Sequence, residues 1–338
     1  MGKNSLLEVK NLKTQFFTEQ GKVTAVDGVS FNINKGEIVG VVGESGCGKS
    51  VTSQSILQLH DSFSAEYGGE ILFNGTDLMK LPKKKMRKVR GKEISMIFQD
   101  SLSSLNPVYT VGKQLTEPML LHQKITKKEA YEQALELLEL THIPAPEKRM
   151  NEYPHQLSGG MQQRVMIAMA LASKPELLIA DEPTTALDVT IQSQILDLLV
   201  DLNKKLGMGI VFITHDLGVV AELCNRVLVM YLGQVIEESD VKSLFEQPLH
   251  PYTQGLIKSI PKMEGERKTE LYTIKGTVPS LNDKPKGCPF VTRCPYADNL
   301  CHERNPELRR HNEDRAVRCW HYQEIISKEQ DKHADAKN

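Results

Sequence analysis

Short apolar runs, each bounded by polar residues, recur along the chain and predict buried strands. Residues 5–42 have the pattern of strands and turns and end in the apolar run GEIVGVV. Residues 68–98 contain two more short runs, EILFNG and ISMIF, which predict strands as well. The runs LLIA (177–180) and IVFI (210–213) are almost wholly apolar, as is typical of parallel strands that are covered on both faces.

Elsewhere the apolar positions follow helical spacing. A helix is predicted from Val51 to about Gln58, and residues 110–170 are predicted to be largely helical. In that region the segment TKKEAYEQALELLEL begins with Thr126, and Glu129 three residues later completes a capping-box pattern. Strands that alternate with helices in this way indicate an α/β fold with a mainly parallel core sheet.

Charge and composition narrow the class of protein. The chain of 338 residues has 42 Lys and Arg against 43 Asp and Glu, and this balance argues against a dedicated polyanion binder. Residues 80–92 are strongly basic and are predicted to form a solvated helix face or loop. No apolar run approaches the roughly 18 residues that span a bilayer. The first residues contain no signal-peptide core, so we expect a cytoplasmic protein, whose six cysteines are not paired as disulfides.

A glycine-rich segment follows the first buried strand and precedes a predicted helix. It matches the pattern G-x-x-x-x-G-K-[ST], in which backbone N–H groups and the helix N-terminus bind phosphate. In this pattern the lysine reaches the β- and γ-phosphates, and the Ser hydroxyl is a Mg²⁺ ligand. The segment therefore predicts a nucleotide phosphate site formed by Gly43, Glu44, Ser45, Gly46, Cys47, Gly48, Lys49 and Ser50. We expect Cys47, at a variable position of the pattern, to have no role of its own.

Two carboxylates end the apolar run LLIADE. Asp181 is expected at the carboxyl edge of the sheet, where it can be a Mg²⁺ ligand, and Glu182 can polarise the attacking water as a general base. A second anion-binding turn, formed by Ser158, Gly159 and Gly160, precedes another predicted helix. Either the chain binds two phosphate groups, or this second turn serves the nucleotide of another subunit.

The order and spacing of these motifs resemble an ATP-binding-cassette (ABC) ATPase over residues 6–260. The resemblance rests on the phosphate loop, Gln99, LSGGM, LLIADE, ALD (186–188) and His215, in that order. It implies that two cassettes pair head to tail, so that each LSGG turn clamps ATP held by the other phosphate loop. It also implies roles for Gln99 at Mg²⁺ and the attacking water, for His215 at the γ-phosphate, for Asp188 in communication across the dimer, and for Phe16 in stacking on adenine, with Phe17 as a rival.

Longer segments resemble the oligopeptide/dipeptide permease branch of that family. They are GESGCGKSVTS, IFQDSLSSLNP, LSGGMQQRVMIAMAL, DEPTTALDVT, HPYTQGL and GCPFVTRCPYADNLC. The resemblance implies an antiparallel N-terminal β subdomain, a helical subdomain at about 101–170 and a C-terminal extension at 261–325. The last residues of the chain are polar, and we expect a tail at 326–338. It further implies a second related ATPase subunit, two membrane permease subunits and, indirectly, an extracytoplasmic peptide-binding protein, with the chain at the cytoplasmic membrane face. Some nickel importers share much of this pattern.

Four cysteines in the last part of the chain suggest a metal site. Thiolates suit zinc or an iron–sulfur cluster. The gaps between them, C-x5-C-x6-C-x17-C, are longer than in common zinc modules, and unliganded thiols are a third possibility. The resemblance points to a [4Fe–4S] cluster, as in some family members, held by Cys288, Cys294, Cys301 and Cys319. His302 or His311 could replace one ligand, although we expect both at the surface.

Two other functional classes are compatible with parts of the sequence. A nucleic-acid-associated cassette is suggested only by the basic segment 80–92, and no sustained heptad lies between the phosphate loop and the LSGG turn. A regulatory module built on an inactive cassette is a further alternative. It has no support in the motifs, because every residue at a catalytic position is present. The sequence therefore predicts an ATP hydrolase coupled to transport.

Overall fold

The computed structural model of the chain describes residues 5–19, 21–99, 104–184, 188–260 and 272–327. The chain divides into two compact units. The first unit contains residues 1–8, 32–38 and 71–213, and the second contains residues 9–31, 39–70 and 214–338. Within the described ranges, no helix is both long enough and apolar enough to cross a membrane.

Strands and helices are numbered in chain order over the described residues. The strands are β1 (Ser5–Thr18), β2 (Gly21–Asn34), β3 (Ile38–Val42), β4 (Ala65–Phe73), β5 (Thr76–Asp77), β6 (Ile94–Ile97), β7 (Leu177–Asp181), β8 (Gly209–Ile213), β9 (Arg226–Tyr231), β10 (Gln234–Asp240), β11 (Arg309–Arg310) and β12 (Ala316–Val317). The helices are α1 (Lys49–Ile56), α2 (Lys83–Val89), α3 (Val111–His122), α4 (Lys127–Leu140), α5 (Pro146–Arg149), α6 (Gly159–Leu171), α7 (Val189–Leu206), α8 (Leu217–Leu223), α9 (Val241–Glu246), α10 (Pro251–Lys258) and α11 (Asn299–Glu303).

The first unit contains three neighbouring parallel strands, β6, β7 and β8. Leu177 lies opposite Ile94 on one side and opposite Gly209 on the other. Every residue of β7 and β8 is buried, which explains why both strands are continuous apolar runs in the sequence. The two predicted parallel strands at 177–180 and 210–213 are confirmed.

Four helices of the first unit, α3 to α6, cover the region that was predicted to be largely helical. Helix α4 begins with the expected capping box, in which Thr126 accepts the N–H of Glu129 and donates its own N–H to the Glu129 carboxylate. The helix then buries Ala130, Ala134 and Leu138, which lie four residues apart on one face. The basic segment forms helix α2, whose cations are mostly exposed above two buried apolar residues.

The second unit contains a mixed sheet that includes strands from the C-terminal part of the chain. Strand β3 pairs in parallel with β9, and β9 pairs antiparallel with β10. Strand β12 then pairs antiparallel with β10, so that Val317 lies opposite Glu237, and β11 pairs with β12. The C-terminal extension is therefore bonded into this sheet through β12 and through the next residue, Arg318, whose N–H donates to the Ile236 carbonyl oxygen.

A second sheet is formed mainly by the N-terminal part of the chain. Strands β2, β1 and β4 lie side by side in that order, and β5 pairs antiparallel with β4. Thr14 on β1 is fully buried, and its hydroxyl lies 2.8 Å from that of Ser55 on helix α1. The predicted strand-rich N-terminal region is confirmed, and together with the parallel strands it gives the expected α/β fold.

Candidate functional site

The phosphate loop connects β3 to α1 in the second unit. Gly48 has a φ of +101° and is the N-cap of α1, so the helix starts at Lys49 rather than at the predicted Val51. A Cβ atom on Gly48 would lie 2.8 Å from the carbonyl oxygen of Ala25, which is too close for any side chain. The loop therefore requires glycine here both for its backbone conformation and for its close packing.

Lys49 points back into the loop. Its side chain is almost fully buried, and Nζ donates to the carbonyl oxygens of Gly43, at 2.7 Å, and Glu44, at 3.1 Å. Ser50 follows in the first turn of α1. This places an ammonium group, a hydroxyl group and a helix N-terminus in one short segment, as phosphate binding requires.

Cys47 is a buried packing residue of this loop. It is 1% exposed, and its Sγ atom lies 3.8 Å from the Lys49 Nζ atom. Burial raises the pKa of the Cys47 thiol, which keeps it protonated and poorly nucleophilic.

Asp181 and Glu182 lie in the first unit, at the carboxyl end of β7. Asp181 is the last residue of the strand and is 2% exposed. Glu182 has a φ of +47°, an uncommon conformation for a residue with a side chain, and its N–H donates to the Ile213 carbonyl oxygen at 2.9 Å. The Nε2 atom of Gln99 donates to Oε2 of Glu182 at 3.0 Å. The structure thus brings together two of the residues to which the sequence assigns catalytic roles.

The LSGG turn also lies in the first unit, at the start of α6. Ser158 caps this helix by accepting the Met161 N–H, and Gly159 and Gly160 form its first turn. Further along the helix, Gln163 donates a hydrogen bond to the Pro183 carbonyl oxygen. The helix that begins at the LSGG turn is therefore bonded directly to the segment that follows Glu182.

Three further predicted site residues lie at a helix cap, in a loop and on β1. Asp188 caps α7 by accepting the Ile191 N–H at 3.0 Å, whereas Ala186 and Leu187 lie outside the described residues. His215 is exposed just after β8. The ring of Phe16 is half-buried and packs edge-on against His60 with a centroid distance of 4.8 Å, whereas Phe17 is 44% exposed.

The four cysteines of the C-terminal extension surround one small cavity. Cys288, Cys294, Cys301 and Cys319 all line it, together with His250 and His321. None of the four is in a disulfide. Burial raises the pKa of each thiol, to about 12 for Cys288 and Cys319, so that bound metal would have to displace protons. His302 and His311, the alternative ligands considered from the sequence, are exposed.

A histidine that was not singled out in the sequence lies beside this cavity. Ligand atoms of Asp298, Cys301 and His321 all lie within 4.8 Å of one another, and His321 Nε2 is 3.1 Å from Asp298 Oδ2. His321 comes two residues after Cys319, and this short spacing from a cysteine is the feature of the sequence that could have indicated a place beside the metal site.

Two protein-family models match this chain, one over the cassette and one that extends into the cysteine-containing extension. The family model described as ABC transporter matches residues 26–185, and the one described as oligopeptide/dipeptide transporter, C-terminal region, matches residues 236–301. The oligopeptide transport ATP-binding protein OppD of Bacillus subtilis is 54% identical over 316 residues, which cover 93% of this chain and 88% of that protein. The chain belongs to the oligopeptide/dipeptide family of ABC transporter ATP-binding proteins.

Other members and solved cassettes agree with this assignment. The probable peptide ABC transporter ATP-binding protein y4tR of Sinorhizobium fredii is 51% identical and covers 95% of this chain and 96% of that protein. A dimeric, post-hydrolysis structure of the ATP-binding cassette MJ0796 with ADP and Pi has a TM-score of 0.63 and 31% identity, over 70% of this chain and 98% of that chain. This ABC ATPase therefore binds and hydrolyses ATP with Mg²⁺, and its predicted fold is confirmed.

Two residues that contact the phosphate loop of this ABC ATPase were not assigned a role from the sequence. The Tyr252 hydroxyl accepts the N–H of Glu44 at 2.8 Å, and Arg293 donates two hydrogen bonds to the Glu44 carboxylate. Both residues lie inside segments on which the resemblance rests, HPYTQGL and GCPFVTRCPYADNLC. Their position in those segments was the signal available, but it did not indicate what they contact.

Proposed function

We propose that this ABC ATPase powers the import of oligopeptides or dipeptides. The observation that carries the proposal is the match of residues 236–301 to the oligopeptide/dipeptide C-terminal region. Relatives agree with it, because AppD and DppD of Bacillus subtilis are described as oligopeptide and dipeptide transport ATP-binding proteins and are 52% and 51% identical to this chain. The importer would place this subunit peripherally at the cytoplasmic face of the membrane.

Each predicted site residue has a role in this proposal. Lys49 would contact the β- and γ-phosphates, with the backbone of residues 43–50 around them. Ser50, Gln99 and Asp181 would hold Mg²⁺, which suits their oxygen donors and would neutralise phosphate charge. Glu182 would act on the attacking water as a general base, His215 would contact the γ-phosphate, and Phe16 would stack on adenine.

Support for this assignment comes from the contacts inside each unit. Glu182 is held from two directions, by its N–H at Ile213 and by its carboxylate at Gln99. A general base must be oriented before it can accept a proton from water, and these two bonds fix both its backbone and its side chain. Lys49 is likewise held by two carbonyl oxygens of its own loop.

The proposed assembly contains a second, related ATPase subunit. The LSGG turn, formed by Ser158, Gly159 and Gly160, would bind the nucleotide of that subunit, and Asp188 would take part in communication across the dimer. Two transmembrane permease subunits and an extracytoplasmic peptide-binding protein would complete the importer, with no nucleic acid. Binding of ATP would favour the closed dimer and hydrolysis would release it, since only a difference in affinity between two states shifts their populations.

Reconstitution tests the transport function. The subunit is assembled with its permease partners and binding protein in proteoliposomes, and uptake of labelled di- and oligopeptides is measured with and without ATP. We expect ATP-dependent peptide uptake that the Glu182→Gln variant lacks. Uptake of nickel without peptide would instead favour a nickel importer. Salt-dependent affinity of the purified subunit for nucleic acid would favour a nucleic-acid-associated cassette.

We further propose that the four cysteines hold a [4Fe–4S] cluster, with zinc as the alternative. Four thiols around a single cavity fit either group, because both are held by four thiolates. The test is anaerobic purification, absorbance at about 400 nm, and assay of iron, sulfide and zinc in the same sample. Equal iron and sulfide, lost in Cys294→Ser, would support the cluster. Zinc would support the alternative, and neither metal would leave four free thiols.

A further inference from the structure

Glu44 occupies a variable position of the phosphate loop, yet three of its groups have defined partners. Its carbonyl oxygen accepts from Lys49 Nζ at 3.1 Å. Its N–H donates to the Tyr252 hydroxyl at 2.8 Å. Its carboxylate accepts from Nη1 of Arg293 at 2.6 Å and from Nη2 at 3.0 Å. The peptide that helps to hold the Lys49 ammonium group is therefore fixed from two other parts of the chain.

Arg293 is itself rigidly placed. Its side chain is 3% exposed, although the Glu44 side chain is 30% exposed. The guanidinium Nε donates to the Lys275 carbonyl oxygen at 3.2 Å, and Nη1 also lies 3.4 Å from the Tyr231 hydroxyl. A planar guanidinium that bonds both carboxylate oxygens fixes the orientation of the carboxylate as well as its distance, which a lysine cannot do.

Tyr252 is equally constrained. It is fully buried, and its ring packs against Tyr231 and Phe290 with centroid distances of 4.8 and 5.4 Å. Burial raises the pKa of the Tyr252 hydroxyl, which keeps it protonated. A buried ring with two aromatic neighbours has little rotamer freedom, so its hydroxyl oxygen is a fixed acceptor for the Glu44 N–H.

We propose that Arg293 and Tyr252 are positioning residues for ATP binding, which act through Glu44 to hold the Lys49 ammonium group in place. This inference rests on the proposed contact of Lys49 with the β- and γ-phosphates. A preplaced ammonium group costs less conformational entropy when the phosphates arrive, so loosening Glu44 weakens binding without removing any group that touches ATP. The C-terminal extension, which supplies Arg293, thereby sets the nucleotide affinity of the cassette.

The competing explanation is that the Arg293–Glu44 pair only attaches the extension to the rest of the second unit. Buried ion pairs commonly contribute little net stability, and breaking one leaves an uncompensated charge. An attachment role predicts that loss of either partner lowers the thermal midpoint and leaves the affinity for ATP unchanged. A positioning role predicts that loss of either partner also weakens ATP binding, and that loss of both partners has no larger effect than loss of one.

The test is a double-mutant cycle on the full-length chain. The dissociation constant for MgATP is measured by displacement of a fluorescent ATP analogue in Arg293→Met, in Glu44→Gln and in the double variant. We expect each single variant to weaken binding by about tenfold, the effect of losing a charge-assisted hydrogen bond, and the double variant to be no weaker than the singles. Unchanged affinity, or independent effects that multiply in the double variant, would overturn the proposal.

Two more substitutions keep the test decisive. Arg293→Lys retains the charge without the planar fork, and we expect an affinity between wild type and Arg293→Met. Tyr252→Phe removes the acceptor for the Glu44 N–H, and we expect a loss of a few-fold. If Arg293→Met fails to fold, Glu44→Gln and Tyr252→Phe decide, because each removes one contact and keeps nearly the same volume. Wild-type affinity in both would refute the proposal.

Lys284→Met is the matched control. Lys284 is another cation of the extension, and its Nζ lies 2.7 Å from Oδ2 of Asp27 rather than on the phosphate loop. We expect this variant to lower the thermal midpoint but to bind MgATP as the wild type does. A loss of affinity equal to that of Arg293→Met would show that general loosening of the extension is responsible.

Lys49→Ala tests separately whether Lys49 contacts the phosphates. Retained affinity in Lys49→Ala would refute the phosphate site itself, whereas lost affinity there with no effect in the Glu44 cycle would refute only the positioning role.

Discussion

Gln99 donates a hydrogen bond from Nε2 to Oε2 of Glu182, and the two atoms lie 3.0 Å apart. The two residues are 83 positions apart in sequence, but they follow neighbouring parallel strands, β6 and β7, which end at the same edge of the sheet. The contact orients the carboxylate that we assign as general base. Through this hydrogen bond, a change in the position of Gln99 would also change the orientation of the Glu182 carboxylate.

Glu182→Gln is expected to retain MgATP binding and to lose ATP turnover. The amide keeps the size of the carboxylate but cannot accept the proton of the attacking water, and loss of a general base lowers rates by about 100-fold to 10,000-fold. Steady-state phosphate release and equilibrium nucleotide binding are measured on the same preparation. Glu176→Gln is the control, because Glu176 is an exposed carboxylate paired with Lys35. Wild-type turnover in Glu182→Gln would show that another group is the base.

Gln99→Ala is expected to lower kcat by about tenfold, because it frees the base from the amide that orients it, and to raise the KM for MgATP by a few-fold, because it also removes a proposed Mg²⁺ ligand. The same substitution should have no further effect on kcat in the Glu182→Gln background, where the base is already absent. Steady-state kinetics of the two single variants and the double variant check this. A change in KM with kcat unchanged would limit Gln99 to the Mg²⁺ contact and refute its role in orienting the base.

Gly48→Ala is expected to destabilise the protein by at least about 2 kcal/mol and to abolish MgATP binding. A Cβ atom at this position would lie 2.8 Å from a backbone oxygen, and the φ of +101° is itself strained for any other residue. Gly36→Ala is the control, because Gly36 also has a positive φ but has open space around it, so a cost of about 1 kcal/mol is expected. Thermal unfolding and nucleotide titration of both variants compare the two. Equal midpoints would show that the loop relaxes around the added methyl group.

Glu237→Ala is expected to lower the free energy of unfolding by about 3–5 kcal/mol, because it leaves the buried Arg315 charge without the carboxylate beside it and two backbone donors without an acceptor. The Glu237 carboxylate is fully buried and accepts the N–H groups of Leu249 and His250, each at 2.8 Å, with Arg315 Nη2 at 3.6 Å. Urea unfolding measures the change.

The control for this prediction is Glu70→Ala. Glu70 forms an ion pair with Lys10 in which both side chains are more than one-third exposed, so its loss should cost less than about 1 kcal/mol. If both variants lowered the free energy of unfolding by similar amounts, the contacts of the buried Glu237 carboxylate would contribute no more to stability than those of an exposed ion pair.

Local patterns predicted much of the fold. The runs at 177–180 and 210–213 are buried strands because a parallel sheet covered on both faces leaves no polar positions, and this is visible in the sequence itself. The capping box at Thr126 was predictable for the same reason, since both of its partners lie within one helical turn. The start of α1 was placed two residues late, because the left-handed conformation of Gly48 lets the helix begin directly after it.

Contacts between distant residues could not be predicted from such patterns. Arg293 and Glu44 are 249 positions apart, and neither has a neighbour in sequence that indicates an ion pair. The motif predicts that the phosphate loop needs glycines and a lysine, but it says nothing about which side chains hold the loop from outside. The same holds for His321, whose place beside the cysteine cavity depends on how the extension folds back on itself.

Three carboxylates from early or central parts of the second unit are each paired with a cation that the chain supplies only after residue 280: Asp27 with Lys284, Glu44 with Arg293, and Glu237 with Arg315. A chain shortened to the cassette alone would lose all three cations at once, including the one that neutralises a fully buried group. The extension is therefore not an independent module that can be exchanged between relatives. A chimaera that takes its extension from another protein would need cations at the positions of Lys284, Arg293 and Arg315 to keep these three pairs.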